Sequence, residues 1–140
     1  MTLIVDTGPL YAQADRRNPE RDSVVEILLN ERTPLVVSAF VAAETDYLIA
    51  KRLGIDAERA FLQDLAAGTF ALECLSQQEL GEAHDVVARY RDLGLGLADA
   101  SLILLARRLG TRRLLTFDER HFRAVSPLQG GSFTLLPADA

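Results

Sequence analysis

Short apolar runs alternate along this chain with longer stretches in which apolar residues recur at helical spacing. The runs are rich in β-favouring residues, and each predicts a short strand, at 3–5, 34–37, 70–74, 114–117 and 133–136. Helices are predicted between them, near 9–14, 24–29, 39–53, 57–67, 77–92 and 98–109, with a short turn or helix at 118–122. Because strands alternate with helices, the pattern predicts an α/β fold with a mainly parallel sheet of about five strands.

The residues that flank these stretches suit helix ends. Thr7 or Gly8 is predicted to cap the first helix, with Pro9 at its first position. Further caps are predicted at Ser38 and Asp56, a capping box at Ser76 with Glu79, and helix ends at Gly54, Gly68 and Gly110.

Length and composition narrow the class of protein. A chain of 140 residues can form one domain, 1–140, with a full core. No apolar run approaches the roughly 20 residues of a membrane span, and the first residues lack the basic segment of a signal peptide, so a cytoplasmic location is expected. The single cysteine, Cys74, is predicted to be a small buried thiol.

The charge is acidic overall but unevenly distributed. Fifteen basic and twenty acidic residues give a net charge of −5, which argues against nucleic-acid binding through overall charge. Lys51 is the only lysine, and six of the arginines lie between 107 and 123. Arginine suits bidentate contacts with phosphate, although a solvated surface is the ordinary role of such residues.

Four carboxylates occupy comparable places in the predicted fold. Asp6 and Asp118 directly follow strands, whereas Glu44 and Asp99 lie in the first turns of helices. Helical spacing puts Glu44 on the apolar stripe of its helix and turns Asp46 towards water. Since ligand sites of open α/β sheets lie at the carboxyl ends of the strands, the four carboxylates are expected to meet at one edge.

Each of these acids alone has an ordinary structural explanation. Asp6 and Asp118 can cap helices, Asp99 can complement a helix N-terminus and Glu44 can pair with an arginine. Together, however, four half-buried acids repel each other unless they are protonated or neutralised by a cation. Oxygen ligands of this kind favour a hard divalent ion, Mg²⁺ or Mn²⁺.

The ordered motifs resemble the PIN domain. The resemblance covers nearly the whole chain and is closest to the VapC-type toxins of bacterial toxin-antitoxin pairs. It rests on Asp6-Thr7 after the first strand, Glu44 on the helix after the second, Leu97 to Ala100 opening a helix, and Thr116-Phe117-Asp118 followed by Phe122. One departure is Gly8, where many relatives carry serine.

The resemblance implies a three-layer α/β/α fold and a Mg²⁺- or Mn²⁺-dependent endoribonuclease that inhibits translation. Asp6, Glu44, Asp99 and Asp118 would be the catalytic, metal-binding acids, and Thr7 and Thr116 would support the metal shell. The implied partners are an RNA of the tRNA or rRNA class, a VapB-type antitoxin and a second copy of the chain. The RNA is expected to contact four arginines around the acidic site, Arg112, Arg113, Arg120 and Arg123.

Other chemistries fit less well. A haloacid-dehalogenase-type phosphatase needs an aspartate at Gly8, and a receiver domain needs a lysine near a late strand, where Lys51 does not lie. The remaining alternative is a catalytically inert PIN-like binding module. Of the two histidines, His84 is predicted to be partly buried and structural, while His121 lies close to Asp118 and is a candidate for phosphate contact.

Overall fold

A five-stranded sheet, parallel throughout, forms the centre of the molecule, which we describe from a computed structural model covering all 140 residues. The strand order is β3-β2-β1-β4-β5. The elements in chain order are β1 (Leu3–Val5), α1 (Thr7–Ala14), α2 (Arg21–Asn30), β2 (Leu35–Ser38), α3 (Ala39–Leu53), α4 (Ile55–Ala66), β3 (Ala71–Glu73), α5 (Gln77–Arg89), a 3-10 turn (Arg91–Leu93), α6 (Leu97–Leu109), β4 (Arg113–Leu115), α7 (Glu119–Ala124) and β5 (Thr134–Leu136). The predicted fold class is confirmed.

The order of the strands explains the layers. The chain moves from β1 outward to β3 through α1 to α4, then returns past β1 to β4 and β5 through α5 to α7. Since crossovers between parallel strands are right-handed, these two sets of helices cover opposite faces of the sheet. The central strand β1 pairs with both β2 and β4, so their carboxyl ends meet at the edge where Asp6, Ser38 and Thr116 lie.

The core is apolar and continuous across the sheet. All of β1 is buried, and α6 is buried from Ala100 to Ala106, which is why its sequence shows an apolar run rather than a narrow stripe. Phe61, Phe122 and Phe133 fill the layers on either side. No helix combines the length and the apolar character required to cross a bilayer.

Two predicted helix starts differ from the structure. Asp6, not Thr7 or Gly8, is the N-cap of α1, because its extended backbone lets the carboxylate accept a hydrogen bond from the Thr7 amide. Pro9 is therefore the third helical residue. Gly54 begins α4 in place of Asp56, which lies in the first turn and complements the helix dipole. The Ser38 cap and the Ser76–Glu79 capping box are confirmed.

Outside the acidic residues, two predictions about burial were wrong. Cys74 is exposed, since β3 pairs only with β2 and its edge position leaves Ala71 and Leu72 accessible. His84 was expected to be partly buried, yet its side chain is 82% exposed beside Asp85.

Candidate active site

Asp6 is the deepest of the four carboxylates. It is 7% exposed, its Oδ1 accepts a hydrogen bond from the Thr7 amide at 2.8 Å and its Oδ2 accepts one from the Thr116 hydroxyl at 2.7 Å. The same Thr116 oxygen accepts a hydrogen bond from the Asp118 amide at 3.0 Å. One hydroxyl therefore joins the ends of β1 and β4 and fixes both aspartates.

Burial dominates the electrostatics of Asp6. It raises the pKa of this carboxyl from 3.8 to about 6, against the opposing effect of the hydrogen bonds from Thr116 and Thr7. The charges of Asp99 and Asp118 raise the pKa further. Asp6 forms no ion pair, so no cationic side chain neutralises its negative charge at neutral pH.

Asp99 and Asp118 approach Asp6 from two different helices. Asp99 lies in the first turn of α6, half-buried, and burial raises its pKa while the neighbouring His121 opposes the rise. Asp118 is the N-cap of α7, where its Oδ1 accepts a hydrogen bond from the His121 amide at 3.0 Å. Its other oxygen, Oδ2, lies 2.9 Å from His121 Nδ1.

Glu44 lies in the cleft wall but not on the buried face of its helix. The apolar stripe of α3, which includes Val41, Thr45 and Ile49, is buried as predicted, but Glu44 lies outside it and is exposed. Asp46 was expected to face water but is half-buried, and its Oδ1 lacks a hydrogen-bond partner. The burial predictions for both residues were therefore wrong, although Glu44 does line the cleft.

A cleft of about 830 Å³ brings the four acids together. Its polar lining is Asp6, Thr7, Glu44, Asp99 and Asp118, and its apolar walls include Phe40, Leu97 and Phe117. Thr116 is buried behind Asp6 rather than at the cleft surface. No arginine or lysine lines the cleft, so it is a strongly negative concavity.

Gly8 allows the cleft wall to close against Asp6. A Cβ at position 8 would lie 3.0 Å from Cδ2 of Phe117, tighter than ordinary packing allows. The glycine that departs from the PIN pattern is thus matched to a phenylalanine on the opposite loop.

His121 is a part of the site that the sequence revealed only partly. Its Nδ1 lies 2.9 Å from Asp118 Oδ2 and 3.3 Å from Asp99 Oδ2, and its Nε2 lies 2.9 Å from the Leu93 carbonyl oxygen. Its place three residues after Asp118 predicted proximity to that carboxylate. Only the fold brings in Asp99 and Leu93.

A buried pair of serines ties two of the acid-bearing helices together. Ser38 caps α3, and its hydroxyl lies 2.7 Å from that of Ser101 in α6. Ser101 also donates a hydrogen bond to the Ala98 carbonyl, next to Asp99. In the sequence, Ser101 is recognisable as the single hydroxyl residue of the apolar part of α6, two residues after Asp99.

The four candidate RNA-binding arginines do not lie together. Arg113 begins β4, at the edge of the sheet opposite the acids, and donates two hydrogen bonds of 2.8 Å to Glu31. Arg112 lies beside it and donates to the Gly130 and Gln129 carbonyls. The expectation that these two surround the acidic site was wrong, because it treated sequence proximity to Asp118 as spatial proximity.

The other two arginines belong to α7, directly after Asp118. Arg120 is exposed and forms no ion pair. Arg123 pairs with Asp139 and Glu119.

The donor groups of the cleft fit a hard divalent ion. Four carboxylates converge without a cationic side chain, and Thr7 Oγ1 and His121 Nδ1 are buried without hydrogen-bond partners. Asp99, Asp118 and His121 can each offer one ligand atom within 4.8 Å of the others. Buried polar atoms without hydrogen-bond partners, beside carboxylates that no arginine or lysine neutralises, are expected at a metal-binding site.

Comparison with known proteins gives two sequence matches. The PIN domain family profile matches residues 3–127. Ribonuclease VapC26 of Mycobacterium tuberculosis (strain ATCC 25618 / H37Rv) is 43% identical over 135 residues, which cover 96% of this chain and all of the relative.

Two solved structures share the fold. One is VapC20 of Mycobacterium tuberculosis, described as a sarcin-ricin loop cleaving toxin, with a TM-score of 0.78 and 18% identity over 84% of this chain and 90% of that one. The other is VapBC2 from Rickettsia felis bound to a DNA fragment from their promoter, with a TM-score of 0.66, 15% identity and coverage of 96% and 97%. At these identities the structures support the fold alone.

Proposed function

Because the chain belongs to the PIN domain family and is a relative of the VapC ribonucleases, we propose that it is a metal-dependent endoribonuclease and the toxin of a toxin-antitoxin pair. In this role it hydrolyses RNA phosphodiester bonds and so inhibits translation in the cytoplasm. The observation that carries the proposal is the convergence of four carboxylates in one cleft that no arginine or lysine lines.

Asp6, Asp99 and Asp118, with Glu44 at the rim, would hold Mg²⁺ or Mn²⁺. When bound, the ion would supply charge neutralisation at the phosphate and would activate a water for in-line attack. Thr116 holds Oδ2 of Asp6 in place, and the Thr7 amide holds its Oδ1. The Thr7 hydroxyl, buried at the cleft and unpartnered, is positioned to hydrogen-bond a water of the metal shell.

The cleft also has features suited to a nucleotide chain. Phe40, Leu97 and Phe117 offer apolar surface beside the acids, where an unstacked base can be accommodated. Of the four arginines, Arg120 and Arg123 are the ones next to Asp118, and Arg120 is free to contact a phosphate. The substrate class proposed is tRNA or rRNA, by analogy with the cleavage of the sarcin-ricin loop in the description of VapC20.

The partners proposed are a VapB-type antitoxin and a second copy of the chain. The Rickettsia felis structure contains the paired VapB and VapC proteins, which supports the first. Exposed large apolar side chains on α2, α3 and α4 support a protein interface, since Leu29 is 80%, Tyr47 61% and Ile55 69% exposed. Light scattering of the purified chain, alone and with the product of an adjacent small gene, tests both partners. A monomer that ignores that product would contradict them.

The test of the enzymatic proposal compares metal binding with cleavage in the same protein. We expect calorimetry to detect Mg²⁺ or Mn²⁺ binding, RNA to be cut only when the ion is present, and Asp99→Asn to weaken both. A chain that binds RNA, but neither binds metal nor cleaves the RNA, would instead be the inert PIN-like module.

A further inference from the structure

We propose that His121 is itself a ligand of the divalent ion, through Nδ1, so that the centre combines oxygen ligands with one imidazole nitrogen. The inference rests on the proposed metal centre and extends it beyond the four acids. It makes His121 of α7 the link between Asp118 of the same helix turn and Asp99 of α6.

The hydrogen bond at the far side of the ring fixes which nitrogen carries the proton. His121 Nε2 lies 2.9 Å from the Leu93 carbonyl oxygen, and a carbonyl oxygen can only accept. Nε2 therefore carries hydrogen, and in the neutral ring Nδ1 presents its lone pair. A histidine that donates one ring N–H to a backbone carbonyl and turns the other nitrogen to a metal is the usual arrangement of metal-binding imidazoles.

The surroundings of Nδ1 do not suit a hydrogen bond. The atom is buried, lies 2.9 Å from Asp118 Oδ2 and 3.3 Å from Asp99 Oδ2, and makes no hydrogen bond of acceptable geometry to either. Without a proton, three electron-rich atoms face each other, and a cation shared among them relieves the repulsion.

The spacing of these atoms matches neighbouring ligands of an octahedral ion. Ligands of Mg²⁺ lie about 2.1 Å from the ion, so adjacent octahedral ligands are about 3.0 Å apart. The two distances from Nδ1, 2.9 and 3.3 Å, bracket this value. An ion pair of imidazolium with the carboxylates would account for the short distances, but it would leave Nδ1 without a hydrogen bond of acceptable geometry.

A nitrogen ligand changes the metal preference. Mg²⁺ is suited by oxygen ligands, whereas imidazole suits first-row transition ions, for which affinity rises from Mn²⁺ onwards. We therefore expect the protein to bind Mn²⁺ more tightly than Mg²⁺, and His121 to account for the difference.

Pulsed electron paramagnetic resonance of the Mn²⁺-loaded protein detects a coordinated nitrogen directly. The chain has two histidines, and the exposed His84 is a matched control. We expect nitrogen modulation of the Mn²⁺ signal in the wild type and in His84→Gln, and its loss in His121→Gln. The same His121→Gln substitution is expected to weaken Mn²⁺ binding at least about tenfold and Mg²⁺ binding much less.

The outcomes separate this inference from the proposed function. Tight Mn²⁺ binding that Asp99→Asn weakens, without nitrogen modulation in the wild type, would overturn the role of His121 and leave the carboxylate centre standing. Modulation that persists in His121→Gln would overturn it as well. If the cleft binds no Mn²⁺, both the inference and the metal-dependent function fail. The wild-type spectrum alone decides the matter if a variant folds poorly.

Discussion

Two carboxylates at opposite ends of the strands of the same sheet have opposite electrostatic properties. Glu31 is partly buried near the amino ends of the strands, the amino edge, where Arg113 donates two hydrogen bonds to it and lowers its pKa from 4.5 to about 2. Asp6 is buried at the carboxyl ends, the carboxyl edge, where it has no cationic partner and burial raises its pKa to about 6. The difference arises from the pairing with Arg113 at one edge and from deeper burial without a cation at the other.

The comparison shows which edge serves stability and which serves function. Because the pKa of Glu31 is lowered, its ion pair stabilises the fold above about pH 4.5 and loses this effect as the pH falls through about 2. Because the pKa of Asp6 is raised, its charge destabilises the metal-free fold above about pH 6, and the penalty disappears as the pH falls below 3.8. An edge that holds repelling acids at such a cost is organised for a ligand.

The largest effect is expected from removing the divalent ion that the carboxylates are proposed to bind. Excess EDTA is expected to abolish RNA cleavage, since four uncompensated carboxylates repel a phosphate backbone, and added Mg²⁺ or Mn²⁺ is expected to restore it. A gel-based cleavage assay on chelator-treated and reloaded protein checks this. Undiminished cleavage in the chelator would remove the functional distinction between the two edges.

At the amino edge we expect a loss of stability without a loss of chemistry. Arg113→Ala leaves the partly buried Glu31 without its cationic partner, although the Thr33 amide and hydroxyl still donate hydrogen bonds to it. The free energy of unfolding at pH 7 is therefore expected to fall by about 1–2 kcal/mol. The deficit is expected to shrink between about pH 4.5 and pH 2 as Glu31 becomes protonated. Denaturant titrations across this range measure it, with Glu31→Gln/Arg113→Ala as the control that removes the buried charge.

Cleavage per folded molecule distinguishes the two possible roles of Arg113. An unchanged rate in the stable temperature range is expected if the residue acts through Glu31. If fully folded Arg113→Ala showed a large fall in RNA affinity, Arg113 would belong to the RNA-binding surface.

A smaller effect separates the arginines near the acids from those far away. Arg120→Ala is expected to weaken RNA binding severalfold and to reduce the slope of log affinity against log salt by about one, because one phosphate contact is lost. Arg112→Ala is the matched control, since its guanidinium is occupied by the Gly130 and Gln129 carbonyls. Equal effects of both substitutions on the slope would contradict the separation.

The smallest effect concerns how tightly the carboxyl edge is packed. Gly8→Ala is expected to cost about 1 kcal/mol of unfolding free energy, because the added Cβ meets the Phe117 ring at 3.0 Å. Gly81→Ala in α5, where the added Cβ has open space, is the control and is expected to be stabilising. Combining Gly8→Ala with Phe117→Leu is expected to recover the unfolding free energy lost by Gly8→Ala. Strictly additive losses of stability in the double variant would argue against the contact between position 8 and the Phe117 ring.

Local signals in the sequence were sufficient for the elements and for three of the acids. The apolar run 3–5 followed by Asp6 predicted a strand end correctly, because a buried parallel strand has no polar face, whereas the strand predicted at 114–117 ends two residues earlier, at Leu115. The Ser76–Glu79 capping box depends only on residues three apart and was equally readable. The placement of Asp99 at the start of α6 followed in the same way.

Features that depend on packing between distant segments could not be predicted. The exposure of Glu44 and the partial burial of Asp46 depend on the elements packed against α3, not on its own periodicity. The Arg113–Glu31 pair joins residues 82 apart, and His121 reaches Leu93 across 28 residues. Sequence proximity assigned Arg113 to the wrong edge for this reason.

The central claim is that Asp6 is kept charged and unpaired for a metal ion, and Asp6→Asn tests it most directly. In chelator at about pH 8 we expect the variant to be more stable than the wild type by roughly 1–3 kcal/mol, from the raised pKa less the lost hydrogen bond. This gain is expected to vanish below about pH 4, while metal-supported RNA cleavage by the same sample is abolished. A variant that is less stable at pH 8 and still cleaves RNA would contradict the account.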